Sequence, residues 1–269
     1  MKKMTTLFTI TVLSFLLISV SVNAMEGAAG PACNLQKQNT MSVLWFQTAG
    51  EAKALFHQGY NIGKMRLDEA LEKKAKKPAV VLDLDETVLD NSPYFAWTIK
   101  TGIRNRETWK EWINRAEAKA LPGAVEFLTY ADSKGVEIFY ISNRKEAQKE
   151  ATIKNLQQIG APQATAEHVL LKQPGEKGKE TRRQHVAKTH DIVLLFGDNL
   201  SDFKGFDRLS APERVQNVEK QKDEFGKKLI VFPNPMYGDW EKAIYNNNFG
   251  ISNSEKAKLR EGSLQPFTP

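Results

Sequence analysis

Two carboxylates one residue apart, Asp83 and Asp85, follow the apolar run Val80-Val81-Leu82. Residues i and i+2 of an extended chain point the same way, so both can face one pocket. Such a pair suits phosphoryl transfer. Asp83 can attack phosphorus in line and form an aspartyl-phosphate, while Asp85 protonates the leaving alkoxide and later activates water. A phosphate dianion repels both carboxylates, so this chemistry calls for Mg²⁺. The bland alternative is a capped turn with two solvated aspartates. A second apolar run, Ile192 to Phe196, also ends in carboxylates, in Gly197-Asp198-Asn199-Leu200-Ser201-Asp202. There Asp198 can ligate a hard cation directly, and Asp202 can ligate or orient from behind it.

Phosphate chemistry also needs donors and a fixed cation. Ser142-Asn143-Arg144 follows the apolar run Val136 to Ile141 and precedes an expected helix from Lys145 to Ile159. A hydroxyl and free amides at a helix start bind anions, so Ser142 and Asn143 are phosphate-binding candidates; Ser142 as a simple N-cap is the other reading. Lys179, at the start of an expected helix to Lys188, can reach inward beside Asp83, with Lys172 and Lys177 as rivals. Aromatic residues cluster in two connecting segments: Phe95, Trp97, Trp109 and Trp112 in one, Tyr237 and Trp240 in the other. Each ring can stack on a leaving group or bury a small cap.

The elements that position these groups alternate. Apolar strand-like runs begin at Val80, Val136, His168, Ile192 and Leu229, and helical patterns lie between them. That order specifies an α/β fold with a parallel sheet, whose ligands bind at the carboxyl ends of the strands. Residues 40–77 read as an N-terminal helical segment joining a cap, with Gly50 and Gly59 as possible breaks. Residues 78–245 read as the core, with a helical cap inserted at about 94–121, and 246–269 as a tail with a last helix.

Ahead of this, Lys2-Lys3, an uncharged apolar run from Leu7 to Val22, and Val22-Asn23-Ala24 read as a signal peptide over 1–24, with a mobile tether over 25–39. The mature chain would then be exported, to the periplasm or beyond. The formal charge is +6; removal of Lys2 and Lys3 leaves 36 basic against 32 acidic residues, +4. This diffuse excess suits anionic small molecules and excludes a nucleic-acid reading, because the densest basic run, Lys73 to Lys77, lacks interleaved aromatics. Cys33 is the only cysteine, so no intrachain disulfide forms; membrane attachment would require its lipidation.

Four strand ends carrying Asp83-x-Asp85, Ser142, a following lysine and Asp198-x-x-x-Asp202 resemble the four motifs of the haloacid dehalogenase (HAD) superfamily of phosphatases. Over about 41–240 the chain is similar to the class C nonspecific acid phosphatases, through Asp83 to Tyr94, Pro122 to Phe127, Ser142 to Lys145 and Gly197 to Phe203. The resemblance implies a Rossmann-like core with a mostly parallel sheet flanked by helices, a smaller helical cap domain, and in many members a homodimer. It implies Asp83 as nucleophile and Mg²⁺ ligand, and Asp85 as general acid and base with its backbone carbonyl on the metal. Asp198 would be the third protein ligand, supported by Asp202. Ser142 and Lys179 would hold phosphoryl oxygens, and Trp109 and Tyr237 align with aromatic residues that clasp the leaving group. Three features depart from the pattern: Ser142 replaces a common Thr, Ser201 replaces an Asp found in many members, and Gly30-Pro31-Ala32-Cys33 is a degenerate lipobox. The expected activity is hydrolysis of small phosphate esters such as 5′-nucleotides or nicotinamide mononucleotide. Phosphoryl transfer to an acceptor alcohol is one alternative. A non-catalytic binding or storage protein is another, and the presence of both Asp83 and Asp85 counts against it.

Overall fold

Pro78 ends the lysine-rich stretch and starts the central strand, since its fixed φ and missing N–H suit a strand start and not a helix interior. The computed structural model describes residues 34–268; the expected signal peptide and residues 25–33 of the expected tether, Cys33 included, lie outside the described residues. The elements are α1 (Thr40–Thr48), α2 (Gly50–Glu72), β1 (Pro78–Leu82), β2 (Leu89–Asp90), α3 (Ser92–Thr101), α4 (Arg106–Arg115), β3 (Lys119–Ala120) and α5 (Ala124–Ser133). They continue with β4 (Glu137–Lys145), α6 (Lys149–Gln158), β5 (Val169–Lys172), α7 (Glu180–Ala187), β6 (Asp191–Gly197), α8 (Ala211–Lys220), β7 (Leu229–Val231), α9 (Asp239–Ile244) and α10 (Asn253–Gly262). No helix among the described residues is long and apolar enough to cross a membrane.

Five strands form one parallel sheet in the order β5-β4-β1-β6-β7. β1 is central and buried on both faces, as its unalternating apolar run requires. Val80 and Leu82 join the larger core with Phe56, Tyr60 and Leu67 of α2 and Phe127 and Leu128 of α5, while Ala79 and Val81 join a smaller core with Val186 of α7, Phe203 and Phe206. The chain leaves β1 for β4 and β5 on one side, then crosses to β6 and β7 on the other. That reversal opens a crevice at the carboxyl ends of β1, β4 and β6, where an open α/β sheet binds its ligand.

The N-terminal helical segment breaks at Ala49, before Gly50, but runs unbroken through Gly59. A Cβ at Gly59 would run into the Phe232 ring, and one at Gly63 would come within 2.5 Å of the Phe196 ring. These glycines are contact points that let α2 lie against β6 and β7, which explains why they do not act as breakers. α1 meets the cap, where Gln47 Nε2 donates to Ser92 Oγ at 3.1 Å.

The cap consists of α3 and α4, closed at its base by the antiparallel pairs Leu89 with Ala120 and Asp90 with Lys119. Residues 34–39, expected as the end of a tether, instead form a 3₁₀ turn with Leu35 buried. Arg260 of α10 fastens that turn and α9 together, donating to Gln38 Oε1 at 3.0 Å and Glu241 Oε1 at 2.6 Å. The burial of an apolar residue and a charged clasp account for order at both ends of the core.

Candidate active site

β1 ends at Leu82, and the next backbone N–H, that of Asp83, still donates to Phe196 O of β6 at 3.0 Å. Asp83 is therefore held to the sheet while its carboxylate stands in the crevice, only 7 % exposed. Lys179, from the residue before α7, forms an ion pair with Asp83 and a second one of 2.6 Å with Asp202. Asp198 follows β6 directly, and Asp202 lies in a 3₁₀ turn, Leu200–Asp202. Asp83, Asp198 and Asp202 bring one carboxylate oxygen each to within 4.8 Å of one another. Gly197 makes this approach possible, because a Cβ there would sit on the Asp202 carboxylate. Asparagines complete the setting: Asn234 Nδ2 and Asn199 Nδ2 donate to Asp198 Oδ2 at 2.7 and 3.0 Å, and Asn199 N donates to Asp202 Oδ2 at 3.0 Å.

Three buried carboxylates face a single lysine, which leaves the cluster short of positive charge. Burial pushes Asp83 up to about 7, opposed by Lys179 and assisted by Asp202 and Asp85. Burial, then Asp202 and Asp83, also hold Asp198 well above the usual carboxylate range. For Lys179 burial acts downward, but the carboxylates of Asp202 and Asp83 outweigh it and keep its pKa high. All-oxygen donors with unbalanced negative charge fit a hard divalent cation.

A pH dependence follows for the metal-free protein. A carboxyl raised from 3.8 to about 7 stabilises the fold fully below the lower value, and that stability is lost as pH rises to the upper one. About three pK units set a ceiling of about 4 kcal/mol for Asp83. Thermal unfolding in EDTA should therefore occur several degrees lower at pH 7.5 than at pH 5, with Mg²⁺ narrowing the gap and Asp83→Asn flattening it. An apo protein more stable at pH 7.5 than at pH 5 would contradict this assignment.

Asp85 faces the same crevice, but its carboxylate is bound sideways. Arg144, 3 % exposed, donates through Nη2 and Nε to Asp85 Oδ1 at 2.7 and 3.0 Å, and Asn91 Nδ2 donates to the same oxygen at 2.9 Å. Ser142 Oγ donates to Asp85 Oδ2 at 3.4 Å and accepts from Arg144 N at 3.1 Å. Ser142 does not stand at a helix start. β4 continues through Lys145, its pairing with β5 shifting register between Ser142 and Lys145; a 3₁₀ turn over Glu146–Gln148 then leads into α6 at Lys149, so helical structure starts one residue after the expected Lys145. The expected helix-terminus amides are thus absent at Ser142, and what it brings to the crevice is a hydroxyl. Asn143 is exposed at the rim, its Oδ1 accepting from Arg182 Nη2 at 3.2 Å.

Together these groups line a pocket of about 260 Å³ that includes Asp83, Asp85, Ser142, Asn143, Lys179 and Asp198. Lys172 is half-buried in β5 and Lys177 exposed, and neither lines it. Tyr237 forms one wall: its hydroxyl donates to the buried Glu86 Oε2 and its ring stacks on Phe95, centroids 4.6 Å apart. Glu86 adopts a left-handed φ of 60°, and its other oxygen accepts from Asn91 N at 2.8 Å. A non-glycine residue in that conformation is strained, and these two bonds hold it there.

A sequence model of the HAD superfamily, subfamily IIIB (Acid phosphatase), matches residues 7–240. The chain belongs to this acid phosphatase family. A solved structure of the class C acid phosphatase from Bacillus anthracis superposes with a TM-score of 0.86 at 60 % identity, covering 87 % of this chain and all of that one. A second structure of the class C enzyme from that organism, described with tungstate bound, matches equally well. More distant relatives are a stem 28 kDa glycoprotein of Glycine max, 29 % identical over 48 % of this chain and 54 % of its own length, and vegetative storage protein 1 of Arabidopsis thaliana, 29 % identical over 45 % and 47 %. The chain spans about half the length of these curated relatives.

Within this family frame the aromatic residues divide. Tyr237 borders the pocket that holds Asp83 and Asp198, whereas Trp109 lines an adjoining cavity of about 380 Å³. Trp97 and Trp112 line a separate cleft of about 240 Å³ within the cap, and Trp112 Nε1 donates to Asn91 Oδ1 at 2.8 Å. Sequence reasoning missed Arg144, Glu86, Asn91 and Asn234. Arg144 could have been found by asking which cation balances Asp85, because on an extended strand it points the same way as Ser142.

Proposed function

We propose that the chain is a divalent-metal-dependent phosphomonoesterase that works through an aspartyl-phosphate on Asp83. The observation that carries the proposal is the Asp83 carboxylate at the end of β1, paired with Lys179 and clustered with Asp198 and Asp202. Those three aspartates, with the Asp85 backbone carbonyl, would hold Mg²⁺, which when bound would neutralise phosphoryl oxygens and admit an anion among carboxylates. An Asp83 oxygen bonds to phosphorus as the ester P–O bond breaks, and Asp85 gives its proton to the departing oxygen. A water then loses a proton to Asp85 as its oxygen attacks phosphorus; the Asp83–phosphorus bond breaks and inorganic phosphate leaves. Asp85 as found, an acceptor of Arg144 and Asn91, has the form the second step needs; the first step requires it to exchange the Arg144 contact for a proton. Lys179 Nζ and Ser142 Oγ orient the phosphoryl oxygens.

The aromatic cavity beside the pocket supports small esters with flat leaving groups, such as 5′-nucleotides or nicotinamide mononucleotide, as substrates. Residues 1–24 support export to the periplasm or beyond, with membrane attachment only if Cys33 is lipidated. The test is phosphate release by purified residues 25–269 from a 5′-nucleotide, nicotinamide mononucleotide and phenyl phosphate. EDTA should lower the rate at least about 10²-fold, reflecting the several kcal/mol a metal supplies, and Mg²⁺ should restore it. An EDTA-insensitive rate would remove the metal from the mechanism. Product analysis with an added alcohol would reveal transfer in place of hydrolysis.

A further inference from the structure

A leaving group attached to a phosphoryl group in the aspartate pocket can extend into an adjoining cavity of about 380 Å³. The two spaces share Arg104, Tyr237, Glu241 and Phe249. Phe95, Trp109, Tyr237 and Phe249 supply flat apolar walls. The charges on those walls are uneven. Lys256 of α10 is only 9 % exposed, yet its ammonium donates to no described residue and lies against the Phe249 ring, 4.7 Å from the centroid. Arg104 likewise has no acidic partner among the described residues; its guanidinium lies 5.2 Å from the Phe95 centroid and 5.9 Å from that of Tyr237.

Glu241 is the only acid on the lining among the described residues, and one of its two oxygens is engaged while Oε2 is buried without a hydrogen-bond partner. Its Oε1 accepts from Arg260 Nη2 at 2.6 Å and from Tyr245 OH at 3.0 Å. Burial and the charges of Arg104 and Arg260 hold Lys256 below the usual lysine range, against the pull of Glu241. A cation without a counter-ion beside low-dielectric aromatic walls attracts an anion more strongly than one in open water. Phe249 and Lys256 also lie beyond residue 240, where the family match ends, so the match does not speak for them.

We propose that Lys256 and Arg104 form an anion subsite for the leaving group, so that favoured substrates carry a carboxylate or a second phosphate on the far side of a flat body. This deepens the phosphatase reading and rests on it. A charge-assisted contact contributes about 1.5–3 kcal/mol, a factor of about ten or more in binding.

The test compares phenyl phosphate, 4-carbamoylphenyl phosphate and 4-carboxyphenyl phosphate with the purified protein. The carbamoyl ester is close to the carboxyl ester in size and shape without its charge, and its more electron-withdrawing group makes it the better leaving group, so leaving-group chemistry alone would favour it over the carboxylate. The carboxyl ester should exceed the carbamoyl ester in kcat/KM about tenfold or more, through KM, with an advantage that shrinks in high salt. Lys256→Gln should cut that ratio to near one, and Lys256→Arg should retain most of it. A 3′,5′-bisphosphorylated nucleoside against its 5′-monophosphate tests the phosphate form of the same anion. Equal kcat/KM for the carboxyl and carbamoyl esters would overturn the subsite while leaving the phosphatase reading intact. A charge preference unchanged in Lys256→Gln would also overturn it, and no turnover of any ester would overturn both readings.

Discussion

Asp83→Asn should lower phosphate release on the order of 10⁴-fold or more, the scale seen when a covalent catalyst loses its nucleophile. The side chain keeps its shape, but an amide oxygen is a poor nucleophile and a weaker ligand for a hard cation. The fold should survive. Asp83 is almost fully buried and its carboxyl is pushed up to about 7 chiefly by that burial, so the neutral amide removes a charge that the metal-free protein holds at some cost. Lys179 keeps its 2.6 Å partner Asp202. Thermal unfolding in EDTA at pH 7.5 should therefore occur at the wild-type temperature or above, while turnover collapses. A variant within about tenfold of wild-type turnover would sink Asp83 as the nucleophile. A large fall in both turnover and unfolding temperature would mean that the carboxylate holds the crevice together.

How far the sequence could carry this site depended on whether a residue's role is local. Asp83 and Asp198 were legible because each stands at the end of an apolar run that reads as a buried strand, and a strand end is a place as well as a conformation. The α/β order follows from the same pattern, whereas the central position of the Asp83 strand is set by long-range pairing. The helix expected from Lys145 begins one residue later, as a 3₁₀ turn at Glu146, but Ser142 is further from it than an N-cap, because pairing with Lys172 across a register shift keeps residues 142–145 in β4. Long-range pairing overrode local preference there. The separation of 59 positions from Asp85 to Arg144 makes their ion pair invisible to any spacing rule. The same holds for Glu86 and Tyr237, which meet across 151 residues. Among the aromatic residues composition predicted a cap, but only the packing of α3 against α4 separates Trp109, in the cavity beside the aspartate pocket, from Trp97 and Trp112 in their own cleft.

Lys179→Met should separate metal binding from turnover. Lys179 is 4 % exposed and pairs with two of the three clustered carboxylates, so it opposes a divalent cation as well as attracting a phosphate. Methionine fills much of the same volume without the charge. Removing a fixed cation aimed at the reacting phosphoryl group should cost about 10²–10³-fold in kcat, comparable to the loss of a preorganised oxyanion donor. In the metal-free variant the carboxylates lose their counter-ion, and breaking a buried pair of this kind costs about 3–5 kcal/mol at neutral pH, less whatever protonation of Asp83 and Asp198 relieves. Mg²⁺ should then bind more tightly than in the wild type, because the cation it had to face is gone. The expected result is a stronger rise of unfolding temperature with added Mg²⁺ alongside a much lower kcat. Lys179→Arg should fail to restore turnover, since a planar fork does not fit a place shaped for a compact ammonium between two carboxylates. If Mg²⁺ affinity fell together with kcat in Lys179→Met, the lysine would be organising the carboxylate cluster instead of holding the phosphoryl group.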